Sequence, residues 1–373
     1  MSVETFHILG LMSGSSLDGL DMALCRFEMA GKRLLSWKIL EATTHLFDPE
    51  WVQRLLTVST DTAKNYALCH AQFGRYIGKQ CADFLSNQSV NLDLIASHGH
   101  TIFHFPEEGL SSQIGDGAAI AAITGHAVVD NFRMQDVALG GQGAPLAPLA
   151  DAWLLPEYSI LLNLGGIANI SCRVGDQYIA FDNTGANQVL NALAQTLGLP
   201  YDEDGKLAAR GRLLPDLKDQ IAQLPYFQKS YPKSLGNDWV QREMTSVYLA
   251  YPASVEDKLH TACLQIAERI VQDLIHIADR ESIQLANKSM LVTGGGAFNA
   301  FLIQCLQQKL DETLKISLII PDKNTISYKE AALIALMGLL RIKGIPNCLP
   351  SATGATKAAV AGAWHHGWIK TNE

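Results

Sequence analysis

The sequence lacks the features that mark several classes of protein. Charged residues make up only 18% of its 373 residues, the formal net charge is −8, and no run of Lys or Arg interrupts this balance. A nucleic-acid-binding surface, which depends on clustered cations, is therefore not expected. No apolar stretch reaches the ~18 residues that cross a bilayer, so no membrane helix is predicted. No basic segment with a long apolar run opens the sequence, so we expect no signal peptide.

Paired cysteines are also missing. The seven cysteines are scattered along the chain without a C-x-x-C pair. This spacing favours reduced, mostly buried thiols in a cytoplasmic protein over disulfides or a zinc site. What is present is a hydrophobic fraction of 48%, in a chain long enough for a large core and roughly two domains of ordinary size.

The stretch Leu9–Asp21 follows a short apolar run and is typical of a strand, a polar turn and a second strand. Glycines in such a turn let the backbone adopt positive φ and approach a ligand closely. Hydroxyl and carboxylate groups beside them suit nucleotide phosphates and a hydrated Mg²⁺. The residues concerned are Gly10, Ser13, Gly14, Ser15, Ser16, Asp18, Gly19 and Asp21. An ordinary hairpin turn explains the same pattern equally well, whereas a Walker A loop is excluded because no Gly-Lys-Ser/Thr comes after it.

A similar pattern recurs in the second half of the chain. The apolar strand Ser159–Leu164 leads into the small turn Gly165-Gly166, a second strand returns, and a third strand ends at Asp182. Two such hairpins predict a duplicated unit whose copies face a shared cleft. The run Gly294–Gly296 joins another buried strand to a helix, where backbone amides can approach an anionic ligand.

The segment Leu139–Pro148 is too rich in Gly and Pro for a regular element, and we interpret it as the crossing between two lobes. The predicted N-terminal lobe spans residues 1–138 and is completed by a C-terminal segment at about 341–373. The predicted C-terminal lobe spans residues 139–340. Within it, the weakly periodic stretch at about 198–240 is predicted to be an insertion that closes one side of the cleft.

Three side chains are candidates for chemistry. Asp182 ends an apolar strand, where α/β sheets place active residues, and can serve as a base or alternatively cap the next helix. Arg133 follows a strand end and can clamp a phosphate or a carboxylate, although surface arginines are common. Glu330 opens a largely apolar helix, where it can contact a ligand or simply complement the helix dipole.

Two other chemistries are not favoured. His98 and His100 are two residues apart at a strand end, so they face opposite sides, and the sequence places no third zinc ligand nearby. A serine nucleophile is not favoured either, because the sequence has no G-x-S-x-G elbow.

Eleven motifs, taken in chain order, resemble those of the anhydro-N-acetylmuramic acid kinase family. They are Gly10–Asp21, Ser97–Thr101, Gln113–Asp116, Asn131–Arg133, Gly140–Leu146, Leu162–Ile170, Phe181-Asp182, Pro232–Ser234, Thr293–Asn299, Lys329–Ala331 and Thr353–Ala355. The resemblance implies an α/β, two-lobed actin/hexokinase/Hsp70-like fold, with duplicated ribonuclease H-like units around an ATP cleft.

The resemblance also implies an ATP-dependent reaction of murein recycling. Such an enzyme hydrolyses the 1,6-anhydro bond of 1,6-anhydro-N-acetylmuramic acid and phosphorylates O6, which gives N-acetylmuramic acid 6-phosphate and ADP. Asp182 would activate the attacking water, with Arg133 and Glu330 near the reacting groups. ATP and Mg²⁺ would be needed, and a homodimer is expected. The alternatives are another sugar or acid kinase of this fold, and a non-catalytic ATP-switched clamp that would need no base.

The ligand contacts implied by the resemblance fall into three groups. The nucleotide would be held by Gly14, Ser15, Ser16, Leu17, Asp18, Gly19, Leu20, Asp21, Gly165, Gly166, Gly294, Gly295, Gly296 and Asn299. Mg²⁺ would lie at Asp18, and the sugar would contact His98, Gln142 and Asn187. The chain departs from the family pattern at Ser15, where Thr is usual, at Asn131, where Asp is usual, and in the loop after Asp182.

Overall fold

The computed structural model describes residues 2–14, 17–175 and 177–368. These residues divide into two compact units. The first unit contains the described residues up to Leu155 and those from Tyr328 onward, and the second unit runs from Pro156 to Ser327. The predicted phosphate-binding residues Ser15 and Ser16 lie outside the described residues.

The strands form two sheets and one separate two-stranded hairpin. In chain order the strands are β1 (Val3–Ser13), β2 (Gly19–Ala30), β3 (Arg33–Leu46), β4 (Leu94–Ser97), β5 (His100–Phe105), β6 (Leu110–Ile114), β7 (Val128–Asp130), β8 (Ile160–Leu164), β9 (Ile167–Val174), β10 (Gln177–Gly185), β11 (Ser289–Thr293), β12 (Ser317–Ile319) and β13 (Ala363–His365). Strands β5 and β6 form the separate hairpin.

The helices cover these sheets. They are α1 (Pro49–Thr57), α2 (Ala63–Ser86), α3 (Gly117–Thr124), α4 (Met134–Ala138), α5 (Ala147–Leu154), α6 (Asn187–Gln195), α7 (Pro215–Ala222), α8 (Asn237–Trp239), α9 (Ser246–Ala250), α10 (Val255–Glu281), α11 (Ala300–Thr313), α12 (Lys323–Ile342) and α13 (Pro350–Thr353). A π-helical turn, Val240–Thr245, joins α8 to α9. Across the described ranges, none of the helices is both long and apolar enough to cross a membrane.

The two sheets share an order of five strands, and the first sheet has a sixth strand, β13, that pairs antiparallel with β7. The first runs β13-β7-β4-β1-β2-β3, and the second runs β10-β9-β8-β11-β12. In each sheet three antiparallel strands form a meander, and two later strands add in parallel beside the first strand of that meander. The duplicated α/β unit predicted from the two glycine hairpins is therefore confirmed.

Local sequence signals explain the helices of the first unit. Asp48 caps α1, since its carboxylate accepts a 2.8 Å hydrogen bond from the Trp51 amide, and Pro49 fills the first helical position. The longer helix α2 buries one face, which includes Phe73 and Ile77, against the core of the sheet. These signals, an aspartate cap followed by proline and apolar residues at helical spacing, can be read from the sequence alone.

The predicted lobe boundaries differ from those of the two units. Helix α12 packs on β1 so closely that a Cβ at Gly10 would overlap the carbonyl oxygen of Ala331. Helix α5 belongs to the first unit as well, because Asp151 pairs with Lys329 at 3.4 Å and the Leu154 carbonyl oxygen accepts from the Trp37 indole. Packing against the first sheet thus assigns α5 and the part of α12 from Tyr328 onward to the first unit. The sequence had placed both helices in the C-terminal lobe.

The core of the second unit draws on the predicted insertion. Tyr226, Phe227, Tyr231 and Val240 come from the stretch 198–240 and are buried against the long helix α10 and the sheet. Burial of large apolar and aromatic side chains is the main stabilising contribution to folding. This stretch is therefore an integral part of the second unit.

Candidate functional site

The turn after β1 and the start of β2 present one carboxylate each, Asp18 and Asp21. Asp18 is exposed, and the Asp21 carboxylate accepts a 2.6 Å hydrogen bond from the Thr44 hydroxyl. Burial raises the pKa of Asp21, the Thr44 hydrogen bond opposes this, and the charges of Glu330 and Asp18 raise it further. Mg²⁺ takes one or two carboxylates together with waters and phosphates, and a cation here would relieve the repulsion between these groups. The donor set therefore fits Mg²⁺.

Other residues of this turn maintain the sheet. The Gly14 carbonyl oxygen accepts from the Leu17 amide at 3.3 Å, and Leu17 has a φ of 59°. A Cβ at Gly19 would lie 2.5 Å from the carbonyl oxygen of His45, and Leu20 is buried in the core. Packing thus accounts for Gly19 and Leu20, and their contact with a nucleotide stays a prediction.

Arg133 is held by two acceptors of the first unit. Its Nε–H donates to His98 Nε2 at 2.9 Å, and its Nη1 donates to the Gly143 carbonyl oxygen at 2.7 Å. Since Nε2 accepts, the His98 proton lies on Nδ1, which donates to the Gly99 carbonyl oxygen at 3.0 Å. Burial, aided by the Arg133 charge, lowers the pKa of His98 to about 3. The imidazole is therefore a neutral group that orients the guanidinium.

Glu330 acts electrostatically on the same guanidinium. Burial lowers the pKa of Arg133, and the Glu330 carboxylate raises it again. Helix α12 loses helical geometry at Tyr328, so exposed Glu330 stands in the first turn after this break. The charges of Arg133 and Glu330 thus interact, and Glu330 also complements the dipole of the helical segment after the break. Their roles beside the reacting groups stay a prediction.

The second histidine of the motif has a different partner. His100 Nδ1 lies 2.9 Å from the Ser13 hydroxyl at the end of β1, and burial lowers the pKa of His100. His98 and His100 therefore bond to separate groups, as their spacing predicted. Among the residues that the structure describes, no three His, Cys, Asp or Glu side chains form a metal site.

The glycine-rich loop after α4 is fixed within the first unit. Buried Asp136 accepts hydrogen bonds of 2.8 Å from the Gly143 amide and from the Thr353 hydroxyl, and a Cβ at Gly141 would overlap its carboxylate. The Gln142 amide donates to the Thr353 carbonyl oxygen at 2.8 Å, while its side chain is exposed. The interpretation of this segment as the crossing between lobes is wrong, because residues of one unit hold it on both sides.

The structure gives a physical reason for asparagine at position 131. Asn131 has a φ of 53°, and Asn and Asp are the non-glycine residues that adopt this left-handed conformation most readily. Asp130 does not replace the missing charge, since its carboxylate lies 3.0 Å from His365 Nε2 and accepts from the Gly117 amide at 2.9 Å. The position needs a backbone conformation that asparagine supplies.

Residues from several of these motifs line a cavity of about 400 Å³ in the first unit. Its polar lining suits a hydroxylated ligand. The lining includes His70, His98, Ser111, Ser112, Gln113, Asp116, Asn131 and His365.

Asp182 lies near the end of β10, an edge strand of the second sheet. The register of β10 against β9 shifts between Asp182 and Thr184, so Asn183 forms a bulge, a feature that re-aims neighbouring side chains. The Asp182 Oδ2 accepts a 2.8 Å hydrogen bond from the Leu235 amide. Burial raises the pKa of Asp182, and this hydrogen bond opposes the rise. The alternative that Asp182 caps α6 is wrong, because Ala186 is the N-cap and no side chain bonds there.

A second cavity, of about 540 Å³, lies at the end of β11. Gly295 is exposed to it, and a Cβ there would meet only the Asn187 amide nitrogen, at 3.5 Å. Gly294 has a φ of 82°, and a Cβ at Gly296 would lie 2.7 Å from the Leu164 Cβ. The fold itself requires two of these three glycines, and Gly295 is the one that is open to a ligand.

Two asparagines share this cavity with Gly295. Asn299 caps α11 by accepting from the Leu302 amide at 3.0 Å, and Asn187 Nδ2 donates to the Leu164 carbonyl oxygen at 3.0 Å. The structure thus places Asn187, predicted for the sugar, beside residues predicted for the nucleotide. The rest of the lining is Leu190, Asn191, Tyr201, Asp202, Glu203, Asp204, Phe298 and Lys323.

The turn Gly165-Gly166 serves the helix after β10. The Gly165 carbonyl oxygen accepts from the Asn187 amide at 3.1 Å, and that of Gly166 accepts from the Ala186 and Gln188 amides at 2.8 and 3.1 Å. These amides at the start of α6 are therefore already satisfied. The contact between this turn and a nucleotide stays a prediction.

Comparison with known proteins yields one consistent family. A model of the protein family described as "Anhydro-N-acetylmuramic acid kinase" matches residues 6–367 of this chain. Proteins named anhydro-N-acetylmuramic acid kinase from Shewanella baltica strain OS223 and Shewanella oneidensis are 32% and 31% identical to this chain. The alignments cover 96% and 95% of this chain, and 98% and 97% of those proteins.

The solved structures that match are more distant. An activator of 2-hydroxyisocaproyl-CoA dehydratase from Clostridium difficile, with bound ADPNP, aligns with a TM-score of 0.41 at 13% identity. That alignment covers 91% of this chain and 97% of the other chain, and a score this low supports no conclusion. The matches in sequence do: this chain belongs to the anhydro-N-acetylmuramic acid kinase family.

Proposed function

We propose that this chain is a kinase that uses ATP and water to convert 1,6-anhydro-N-acetylmuramic acid into N-acetylmuramic acid 6-phosphate and ADP. The observation that carries this proposal is the family match over residues 6–367. The reaction joins a hydrolysis to a phosphoryl transfer, so it requires a base for the water and groups that stabilise charge on the phosphates.

In the proposed reaction, the oxygen of a water molecule attacks the anomeric carbon of the sugar. A proton of that water passes to Asp182, the bond between C1 and O6 breaks, and O6 leaves with its electron pair. O6 then takes the γ-phosphoryl group of ATP, and the bond from that phosphorus to the bridging oxygen breaks to release ADP. This sequence supplies the hydroxyl at C1 from water and the phosphate at O6 from ATP.

The environment of Asp182 supports its role as the base. Burial raises the pKa of this carboxyl, which makes the carboxylate a better proton acceptor. The Leu235 amide stabilises the ionised form through Oδ2, and Oδ1, which accepts no hydrogen bond from the described residues, would receive the proton. A non-catalytic ATP-switched clamp would have no use for this arrangement.

Residues of the first unit would bind the charged groups. Asp18 and Asp21 would hold Mg²⁺, which neutralises phosphate charge when it is bound. Arg133, oriented by His98 and Gly143, would stabilise negative charge near the sugar and the transferred group, with Glu330 beside it.

We assign the nucleotide to the 540 Å³ cavity beside Gly295, where a backbone without a side chain permits close approach. We assign the sugar to the region of His98 and Gln142. A cytoplasmic location and a homodimer remain predictions, and sedimentation of the purified protein tests the second.

The direct test is incubation of the protein with Mg·ATP and anhydro-N-acetylmuramic acid, with mass spectrometry of the products. We expect the 6-phosphate of N-acetylmuramic acid and one ADP for each sugar consumed. A matched set of other sugars and of small acids serves as the control. Faster turnover of any of them would favour a related kinase with a different acceptor, and ATP binding without turnover of any acceptor would favour the clamp.

A further inference from the structure

Asp273, on α10, is a buried carboxylate that the proposed chemistry does not use. It is 1% exposed, it pairs with Lys233 Nζ at 3.2 Å, and it accepts a 2.9 Å hydrogen bond from Asn183 Nδ2. Arg269, one turn earlier on the same helix, binds both of its oxygens. The loss of one partner from such a buried group leaves an uncompensated charge, so the arrangement is held firmly.

Two of these partners lead to Asp182. Asn183 is the bulge residue directly after Asp182 on β10. Lys233 stands two residues before Leu235, whose amide donates to the Asp182 Oδ2. Asp273 therefore ties the strand that carries Asp182 to the loop that hydrogen-bonds its carboxylate.

The Lys233 ammonium is buried beside two aromatic rings next to Asp182. Its side chain is 3% exposed, and Nζ lies 5.2 Å from the ring centroids of both Phe181 and Tyr226, within the range of cation–π attraction. Phe181 directly precedes Asp182, and the Tyr226 hydroxyl donates to the Asp182 carbonyl oxygen at 2.7 Å. The ammonium thus contacts two residues that adjoin the proposed base, Phe181 in the chain and Tyr226 through a hydrogen bond.

We infer that Lys233, through its ion pair with Asp273, is a positioning residue for Asp182. It holds the Leu235 amide against one carboxylate oxygen and so leaves the other oxygen aimed at the attacking water. This role rests on the proposed function. The charged and titratable groups of this cluster are Asp182, Lys233, Asp273, Arg269 and Tyr226.

The test replaces Lys233 with methionine, which keeps the length of the side chain and removes its charge. In Lys233→Met we expect kcat to fall roughly 10- to 100-fold, because the base is no longer oriented. The Leu235 hydrogen bond lowers the pKa of Asp182, so its loss raises that pKa. Since the ionised form is the active one, the acid limb of the kcat/KM profile should move to higher pH.

The matched control is Lys218→Met. Lys218 pairs with Glu268, also on α10, at 2.9 Å, and among the described residues neither side chain bonds to Asp182, Asp273 or Lys233. We expect wild-type kcat and an unchanged pH profile in this control. An equal loss in both variants would mean that the effect is general destabilisation, and it would overturn the inference.

Hydrogen exchange of the Leu235 amide separates this inference from the proposed function, because it needs no turnover. We expect slow exchange in the wild type, faster exchange in Lys233→Met and no change in Lys218→Met. If the wild type fails to convert the sugar, the proposed function is wrong and the exchange result still decides the inference. Unchanged exchange and an unchanged pH profile in Lys233→Met would overturn it.

A second variant covers the case in which Lys233→Met does not fold. Asn183→Ala removes only the bond from Asp273 to the strand and leaves the ion pair with Lys233 intact. We expect the same direction of change in kcat, in the pH profile and in Leu235 exchange. Wild-type values for all three would contradict the inference.

Discussion

The two units share a strand order but differ in the residues that come after their equivalent strands. In the first unit, β4 leads to His98, a buried neutral imidazole that holds Arg133 in place. In the second unit, β11 occupies the same place in its sheet and leads to Gly294–Gly296, which presents backbone rather than side chains. One scaffold therefore supports two kinds of site, and the residues after the strand determine which.

The two meanders differ in the same way. Asp18 lies in the turn after β1 and Asp21 on the strand that follows it, whereas the turn after β8 uses the carbonyl oxygens of Gly165 and Gly166 as acceptors for the first amides of α6. In the second unit the carboxylate of the proposed base, Asp182, lies instead on the third strand of the meander, β10. We therefore expect substitutions at equivalent places in the two units to change different properties, such as turnover, the KM for ATP or stability.

The largest effect is expected for Asp182→Asn, which removes the proposed base of the second unit. The amide cannot take the proton of the attacking water, so kcat should fall roughly 10²–10⁴-fold, with little change in KM. The measurement is ADP release under saturating ATP and sugar. Asp219→Asn, at an exposed position on α7, is the control and should behave as wild type. Near-normal turnover of Asp182→Asn would assign the base elsewhere.

An intermediate effect is expected from two neighbouring glycines. In Gly296→Ala the new Cβ meets Leu164 Cβ at 2.7 Å, so the free energy of unfolding should fall by about 1–3 kcal/mol. In Gly295→Ala the new Cβ meets no carbon of the core, so stability should stay within ~0.5 kcal/mol while the KM for ATP rises. Urea unfolding and initial rates measure the two quantities. A destabilised Gly295→Ala with an unchanged KM would contradict the proposed nucleotide site.

The smallest effect concerns the pH dependence of stability. The pKa of His98 is about 3 when folded and 6.5 in its unperturbed state, so below pH 6.5 the unfolded chain binds a proton that the folded chain does not. The free energy of unfolding should therefore decrease as the pH is lowered from 6.5 to about 3. This group contributes at most about 1.4 kcal/mol per pH unit to that decrease. His98→Gln should make the decline in Tm shallower.

The control for that measurement is His366→Gln, at an exposed histidine of the same unit. It should leave the slope of Tm against pH unchanged. Equal slopes in wild type and His98→Gln would show that the folded protein can protonate His98 without cost.

Much of the fold could be predicted from local patterns. The glycine turns, the capping signal at Asp48 and the apolar strands indicated both meanders and the first helices, because each depends on residues close together in sequence. The limits of the two units could not be predicted this way. They depend on packing between distant elements, such as the contact of Gly10 with Ala331.

The candidate site divides along the same line. Asp182 and Arg133 lie at strand ends, so the sequence pointed to them. The contacts that hold these two side chains in place join residues far apart in sequence. Examples are the hydrogen bond of Asp136 with Thr353 and the ion pair of Lys233 with Asp273. Thr353 and Lys233 lie in motifs that carried the family resemblance, and this was the available signal. Asp136 and Asp273 gave none.

The proposed reaction stands or falls on the attack of water at the anomeric carbon while O6 takes the phosphoryl group. The most direct measurement is turnover of anhydro-N-acetylmuramic acid with Mg·ATP in ¹⁸O-labelled water, with the label located by mass spectrometry of product fragments. We predict ¹⁸O in the hydroxyl at C1 and none in the phosphate ester at O6. A 6-phosphate product without label at C1, or with its label in the phosphate, would contradict this reaction.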